Sequence, residues 1–351
     1  MFRTTIIALI LTVGATVAYS HDRMCDLRWP FTEQVITADN VWLICGTGAN
    51  PGRIIEVRWH KTKPMLVELG RTGEGEINPV APTFRVWDVA NNVVTFSAID
   101  LTFRQLELTS DLLILGTDAG SLKVWDLVQE DLVYELYVHD GEVSELLLHP
   151  SEDWLLVVID QTKLFRVDLE SQSVTEIQLR NSKDMVLGAL VFSSDGRMLA
   201  AAGNGMIGVW DTHDWGPWEP AALTFESAAA LLFANEDSHL ILLADRSVSR
   251  WSHSDKRVSF VRRLMPYARS RNCTLLGGDM SPDGSLLMTT TVCGDLRAWD
   301  LRKDKELYVH QLHKLVLNSV GVPTSFSPDG RYLIDRSGNN GFTVLVVPEY
   351  E

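Results

Sequence analysis

Residues 256–271 (KRVSFVRRLMPYARSR) place six cations and no acid in a chain whose formal charge is −15. Guanidinium forks match carboxylate and phosphate geometry, and a phenol stands among them. Arg262, Arg263, Tyr267, Arg269 and Arg271 are therefore the candidate contact set for an acidic protein or peptide. The competing reading is a solvated loop whose cations offset neighbouring acids. Other chemistry is scarce. The chain has no G-x-S-x-G, phosphate-binding glycine loop, H-E-x-x-H or C-x-x-C pattern, and its Ser, His and Asp residues have no diagnostic spacing. No catalytic residue, cofactor or metal is expected. His310 and His313 stand three apart in VHQLHK, a strand-like or loop segment that points them to different faces. His21 would offer copper an amine and an imidazole only if cleavage left it first; a frayed terminus is the plainer reading. The two tryptophans of HDWGPWEP (213–220) either form an exposed apolar patch or cap the rim of their element.

The elements that must position these residues repeat. Tryptophan–aspartate pairs end strand-like segments at Trp87-Asp88, Trp125-Asp126, Trp210-Asp211 and Trp299-Asp300. Degenerate copies at Val167-Asp168, Trp251-Ser252 and Val346-Val347 fill the gaps, with steps between 38 and 48 residues. Such self-similarity marks a repeat architecture. A second landmark lies upstream: Ser281-Pro282-Asp283-Gly284 and Ser327-Pro328-Asp329-Gly330, echoed at 193–196, 149–152 and 234–237. Proline presets φ for the first turn residue and glycine accepts positive φ, so these tetrapeptides join antiparallel strands. Between landmarks run LLILGT (112–117), LLVVID (155–160), LILLAD (240–245) and SLLMTTT (285–291). Apolar runs of this length, bounded by Gly, Asp, Ser and Pro, read as strands; no long amphipathic helix is evident.

On these pairs and turns the chain resembles the WD40-repeat family over nearly all of residues 31–351. The resemblance implies an all-β fold, a seven-bladed β-propeller of four-stranded sheets that must stack to bury both faces. The last unit (319–348) supplies three strands, and segment 32–46, containing VWLIC, is assigned as the N-terminal strand closing it. Trp87, Asp88, Trp125, Asp126, Trp210, Asp211, Trp251, Trp299, Asp300 and His139 become structural repeat positions. In this family an Asp six residues before the Trp accepts a hydrogen bond from a blade-entrance His. His139 matches that entrance, although its own blade has Val167 in place of Trp. In blade six the Asp position is Cys293 and the entrance is Arg271, two residues from Cys273. Cys273 and Cys293 are symmetric about Asp283, so the resemblance implies a disulfide replacing the His–Asp bond, a constraint of about 3 kcal/mol. Two buried free thiols are the alternative, and Cys25–Cys45 follows by elimination. Family loop order puts the later part of the cationic run, and the insertion RTGEGEINPVAPT (71–83), on the face bearing the inter-blade loops. HDWGPWEP falls on the opposite face.

Residues 1–20 carry Arg3, an uncharged stretch and then Ala18-Tyr19-Ser20, which reads as a signal peptide cut before His21. The alternative is an uncleaved anchor, since the 17 uncharged residues from Thr4 to Ser20 reach the lower limit for a span. Residues 21–31 form an extension and 32–351 the propeller. A ring of this size absorbs 351 residues without a linker. Cleavage removes one Arg and no acid, leaving −16, a charge that repels nucleic acid and anionic lipid. Membrane contact is expected only through an uncleaved leader. An even set of four cysteines suits an exported chain, secreted, periplasmic or lumenal. The expected function is a non-enzymatic platform binding a protein or peptide partner on the inter-blade loop face. The alternative is an enzyme or small-ligand binder that uses the central channel mouth.

Overall fold

The computed structural model describes residues 41–44, 53–63, 65–71, 84–88, 93–98, 102–179, 185–222, 228–234, 237–245, 247–252, 257–263, 274–291, 295–303, 305–311, 324–336 and 342–347. Among them every regular element is a strand, and the strands form seven four-stranded antiparallel sheets. Sheet 1 holds β2 (Arg53–Trp59), β3 (Met65–Arg71), β4 (Phe84–Asp88) and β5 (Val93–Ala98). Sheet 2 holds β6 (Phe103–Leu108), β7 (Leu112–Thr117), β8 (Ser121–Asp126) and β9 (Asp131–Tyr137). Sheet 3 holds β10 (Val143–Leu148), β11 (Trp154–Ile159), β12 (Lys163–Asp168) and β13 (Val174–Ile177). Sheet 4 holds β14 (Ala189–Phe192), β15 (Met198–Gly203), β16 (Met206–Asp211) and β17 (Pro217–Ala222). Sheet 5 holds β18 (Ala228–Ala234), β19 (His239–Ala244), β20 (Ser247–Ser252) and β21 (Arg257–Arg263). Sheet 6 holds β22 (Leu275–Met280), β23 (Leu286–Thr291), β24 (Asp295–Asp300) and β25 (Lys305–Gln311). Sheet 7 joins β26 (Ser325–Phe326), β27 (Tyr332–Arg336) and β28 (Phe342–Val346) to β1 (Val41–Ile44), which pairs Val41 with Leu345 and Ile44 with Phe342.

The second strands of sheets 2 to 6 are buried on both faces, as strands held between two layers must be. Trp154–Ile159 is buried throughout. Each consecutive pair of sheets shares an apolar cluster: Val67 and Phe84 with Leu106 and Leu113, then Ile114 and Val124 with Leu146 and Val157, and so onward. The last joint puts Ile334 of sheet 7 against Val57, Leu66 and Trp87 of sheet 1, so the stack returns to its start. Each fully buried Leu, Ile or Val contributes about 1.5–3 kcal/mol. The joints outweigh any single hydrogen bond.

Two turn devices repeat because side chains cap them. Between first and second strands, Ser281 Oγ accepts the Leu286 amide at 2.9 Å and donates to Asp283 at 2.6 Å. Ser327 does the same with Tyr332 and Asp329, and Ser193 with Met198 and Asp195. His60 and His149 occupy this place in sheets 1 and 3. The Nδ1 of each accepts backbone amides while Nε2 faces a carbonyl in the next sheet, that of Ser110 or Gly196. Between third and fourth strands, the carboxylates of Asp126, Asp168, Asp211 and Asp300 accept amides two or three residues on, the Asx-turn logic.

The tryptophan of the repeat is less uniform. Trp299 donates its indole N–H to Thr289 and Trp87 to Glu68, each on the neighbouring strand. The corresponding partner of Trp125 is Leu115, and that indole N–H is buried without a hydrogen bond. Glu68 is in turn paired with buried Arg85 at 3.6 Å. In sheet 4 Gly208 lies under the Trp210 ring: a Cβ there would sit 2.2 Å from it.

Candidate functional site

The first strand of every sheet lines a central channel of about 630 Å³. Its wide part begins where these strands begin, at Arg104, Glu142 and Gly188, and so opens on the side of the inter-blade connections. A second cavity of about 250 Å³ lies where the strands end and shares Arg58, Asp279 and Ser325 with the first. Those three residues mark the waist between two mouths.

The wall has two characters. Sheets 4 and 5 supply Ala189, Val191, Ala230 and Leu232, whereas sheets 1, 2, 3 and 6 supply Glu56, Arg58, Gln105, Glu145 and Asp279. Register fixes their depth. In β2, β6, β10 and β18 a bulge near the strand start is followed by Glu56, Gln105, Glu145 and Ala230, which therefore occupy one level. Arg58, Glu107 and Asp279 stand two residues further along.

Most of these charges are tied. Arg58 Nε meets Glu56 at 2.6 Å, and its guanidinium reaches Glu107 at 3.5 Å. Glu56 also accepts the Leu106 amide of sheet 2, Glu107 the Leu148 amide of sheet 3, and Asp279 the Phe326 amide of sheet 7. Three carboxylates thus latch one sheet to the next. Arg104 bridges Asp118 at 2.7 Å and Glu142 at 3.5 Å. Among the described residues Glu145 has no side-chain hydrogen bond; desolvation, with Glu56 and Glu107 nearby, pushes its carboxyl up to about 8 against the pull of Arg58. Burial likewise raises Asp279 to about 6, opposed by its amide donors, and raises Glu56 against Arg58. Arg58 loses hydration, yet Glu107, Glu56 and Glu145 hold it above its ordinary range. Among the described residues no set of three His, Cys, Asp or Glu converges as metal ligands. The acids are spread around a ring.

The residues expected to act fall in several places. Arg262 and Arg263 end the outer strand β21, where they pair with Val248 and Ser247, so they belong to an element as well as to a loop approach. Tyr267, Arg269 and Arg271, the insertion 72–83, all four cysteines and residues 1–40 lie outside the described residues. The ladder of sheet 6 pairs Leu275 with Thr291, each two positions in sequence from Cys273 or Cys293. His139 stands between sheets 2 and 3 as expected of an entrance position. Its Nδ1, however, meets the Asp140 carbonyl, its Nε2 meets Lys163, and its ring lies on Phe165. Position 161, where the pattern wants Asp, is Gln. Trp215 of HDWGPWEP packs edge-on against Trp154 of sheet 3 and caps that rim. His310 sits in β25 opposite Leu296.

Two features escaped the sequence. The channel acids are single residues, separated by tens of positions, that only closure assembles. Leu132, Val133 and Tyr137 are exposed on β9, the outer strand of sheet 2; DLVYELY reads as an ordinary strand, and nothing in it marks which side faces solvent.

Comparison with known proteins accords with this architecture. The family model "WD domain, G-beta repeat" matches residues 177–211, the stretch from the end of β13 through the Trp210-Asp211 pair. The chain is 28% identical over 160 residues to the Target of rapamycin complex subunit wat1 of Schizosaccharomyces pombe, covering 43% of this chain and 50% of that protein. It is 31% identical over 100 residues to the Target of rapamycin complex subunit LST8 of Saccharomyces cerevisiae, covering 28% and 32%. It therefore spans half or less of these relatives. The β-propeller domain of Cps50 (Swd1) from Myceliophteria thermophila superposes with a TM-score of 0.69 at 12% identity, covering 87% of this chain and all of that one. The repeat pairs, the four-stranded sheets and these matches agree: residues 177–211 match a WD repeat, and the chain has a β-propeller fold.

Proposed function

We propose that the chain is a seven-bladed propeller acting as a non-enzymatic scaffold, and that it docks a protein or peptide partner on the face bearing the inter-blade loops. The carrying observation is the cationic segment: Arg262 and Arg263 end β21, and Arg269 and Arg271 follow before β22 begins, in a chain of net charge −15. Arg262 and Arg263 are held on a paired strand of the sheet, so their placement adds little ordering cost on binding. That two relatives are named as subunits of a larger complex supports an assembly role. Tyr267 and the four arginines are the proposed contacts, for a partner with an acidic surface. Residues 1–20 are proposed to export the chain with cleavage before His21, and Cys273–Cys293 and Cys25–Cys45 to pair in that compartment.

The test is affinity capture with quantitative mass spectrometry, comparing wild type with a variant carrying Arg262, Arg263, Arg269 and Arg271 all changed to Glu. A control reverses Arg197 and Arg302 near the turns of the opposite face. A partner lost roughly tenfold or more by the first variant and retained by the second supports docking. Equal capture by all three chains ends the proposal. N-terminal sequencing of the exported or membrane-bound product reads the leader separately, and His21 as first residue is the expected result. The alternative of a small-ligand site has its own support in the charged channel wall.

A further inference from the structure

The wide half of the channel combines a carboxyl that no side chain pairs, among the described residues, with an apolar wall at the same depth. Glu145 on β10 and Ala230 on β18 both follow their strands' bulges, so they face the lumen at one level. Arg58 is occupied by Glu56 and Glu107, Arg104 by Asp118 and Glu142, and Asp279 by backbone amides. Among the described residues that leaves Glu145 without a hydrogen-bonding or ion-pairing side chain. A half-buried carboxyl that lines a channel without a paired side chain is open to an incoming counter-ion. The volume lies in the range of small-molecule sites, where apolar lining and a few placed polar groups divide the work.

We propose that this half of the channel binds an organic cation on an aliphatic stem, a primary ammonium or guanidinium of about lysine or arginine length. Glu145 is its counter-ion, and the Ala229–Leu232 segment is the bed for the stem. A divalent metal is the wrong ligand, because the carboxylates do not converge. An anion meets uncompensated acid. A neutral apolar molecule leaves Glu145 unsatisfied. The proposal stands on the channel lining and holds whether or not the loop face docks a partner.

Ligand binding should be linked to a proton. With its carboxyl raised to about 8, Glu145 is mostly protonated at pH 7 in the free channel. The groups that set this are Arg58, Glu56 and Glu107, with Arg104, Gln105 and Asp279 completing the polar side. A cation displaces that proton, so affinity rises with pH up to about 8 and then levels.

The experiment is calorimetric titration of the full chain with n-butylammonium, n-butylguanidinium and, as the neutral match, n-butanol. It is run from pH 6 to 9 in buffers of different ionisation heat. The expected result is one saturable site for the cations, roughly tenfold or more tighter than for butanol, with proton release at pH 7 and little at pH 9. Glu145→Gln should remove that preference. Ala230→Leu, which fills the bed without touching the charge, should abolish binding of both cations. Butanol binding as well as butylammonium, or undiminished cation binding in a folded Glu145→Gln chain, overturns the proposal. Should Glu145→Gln not fold, undiminished binding by Ala230→Leu overturns it equally. A third arm titrates acetyl-Ala-Ala-Lys-Ala-Ala-amide: binding tighter than butylammonium identifies a partner's side chain as the natural occupant, and weaker binding identifies a free amine. No partner protein is present, so this titration and the arginine-reversal capture can fail independently.

Discussion

Ser281 shows how little is needed to set a turn. Its hydroxyl satisfies the buried Leu286 amide and is held by Asp283, whose carboxyl the Ser281 and Ser285 hydroxyls keep low, at about 2. Ser281→Ala strands that amide and should cost about 1–3 kcal/mol in urea unfolding. The histidines in the same place in sheets 1 and 3 add pH dependence. His60 and His149 are held below their ordinary range, chiefly by burial, and their Nδ1 atoms serve as acceptors. A depressed folded-state value means the unfolded chain takes the proton first, so this stability is present above pH 6.5 and lost as pH falls below it. His149→Ser keeps a turn cap without the titration; its stability deficit against wild type should shrink between pH 7 and pH 5. Glu145 works in the opposite sense. Its raised value means stability present below about pH 4.5 and lost as pH rises toward 8, so Glu145→Gln should raise Tm at pH 8 by roughly 2–4 °C and leave it unchanged near pH 4. Ser281 and the capping aspartates were legible in the sequence because their bonds are local. Glu145 was not. Its meaning comes from Glu56, Glu107 and Ala230, which lie tens of residues away.

At the scale of the element, strands were legible because period and punctuation agree: apolar runs bounded by Ser-Pro-Asp-Gly or Trp-Asp cannot be read as helix. What each strand asks of its neighbour was less visible. The indole of Trp87 is satisfied by Glu68, and that carboxylate by Arg85. Trp87→Phe removes the donor while leaving a buried carboxylate that desolvation already raises. It should destabilise by about 2–4 kcal/mol, combining lost contact with a stranded acid. Gly208→Ala drives a methyl into the Trp210 ring, and overpacking of that kind costs about 1–3 kcal/mol in thermal unfolding. The later part of the basic run 256–271 reads as an inter-blade connection, and Arg257–Arg263 ahead of it pairs as an outer strand. Alternation was obscured there because polar and apolar residues both suit the outermost, least buried place in a sheet.

For the whole molecule, the ring and its channel are one proposition. Seven sheets, each packed on the next, need the last to meet the first, and β1 supplies the missing strand of sheet 7. Four residues, Val41–Ile44, hold that seam against β28. The sequence indicated it by arithmetic, since the last repeat lacked a strand and segment 32–46 lacked a sheet. The proposed docking face has no such arithmetic, because partner surfaces follow no period. Amide hydrogen exchange on the intact chain tests closure most directly. Val41–Ile44 and Phe342–Val346 should exchange in the same slow class as the buried strand Leu286–Thr291, because pairing across the seam protects both. Rapid exchange of Val41–Ile44 beside a protected Leu286–Thr291 would mean an open ring, and with it the loss of a walled channel.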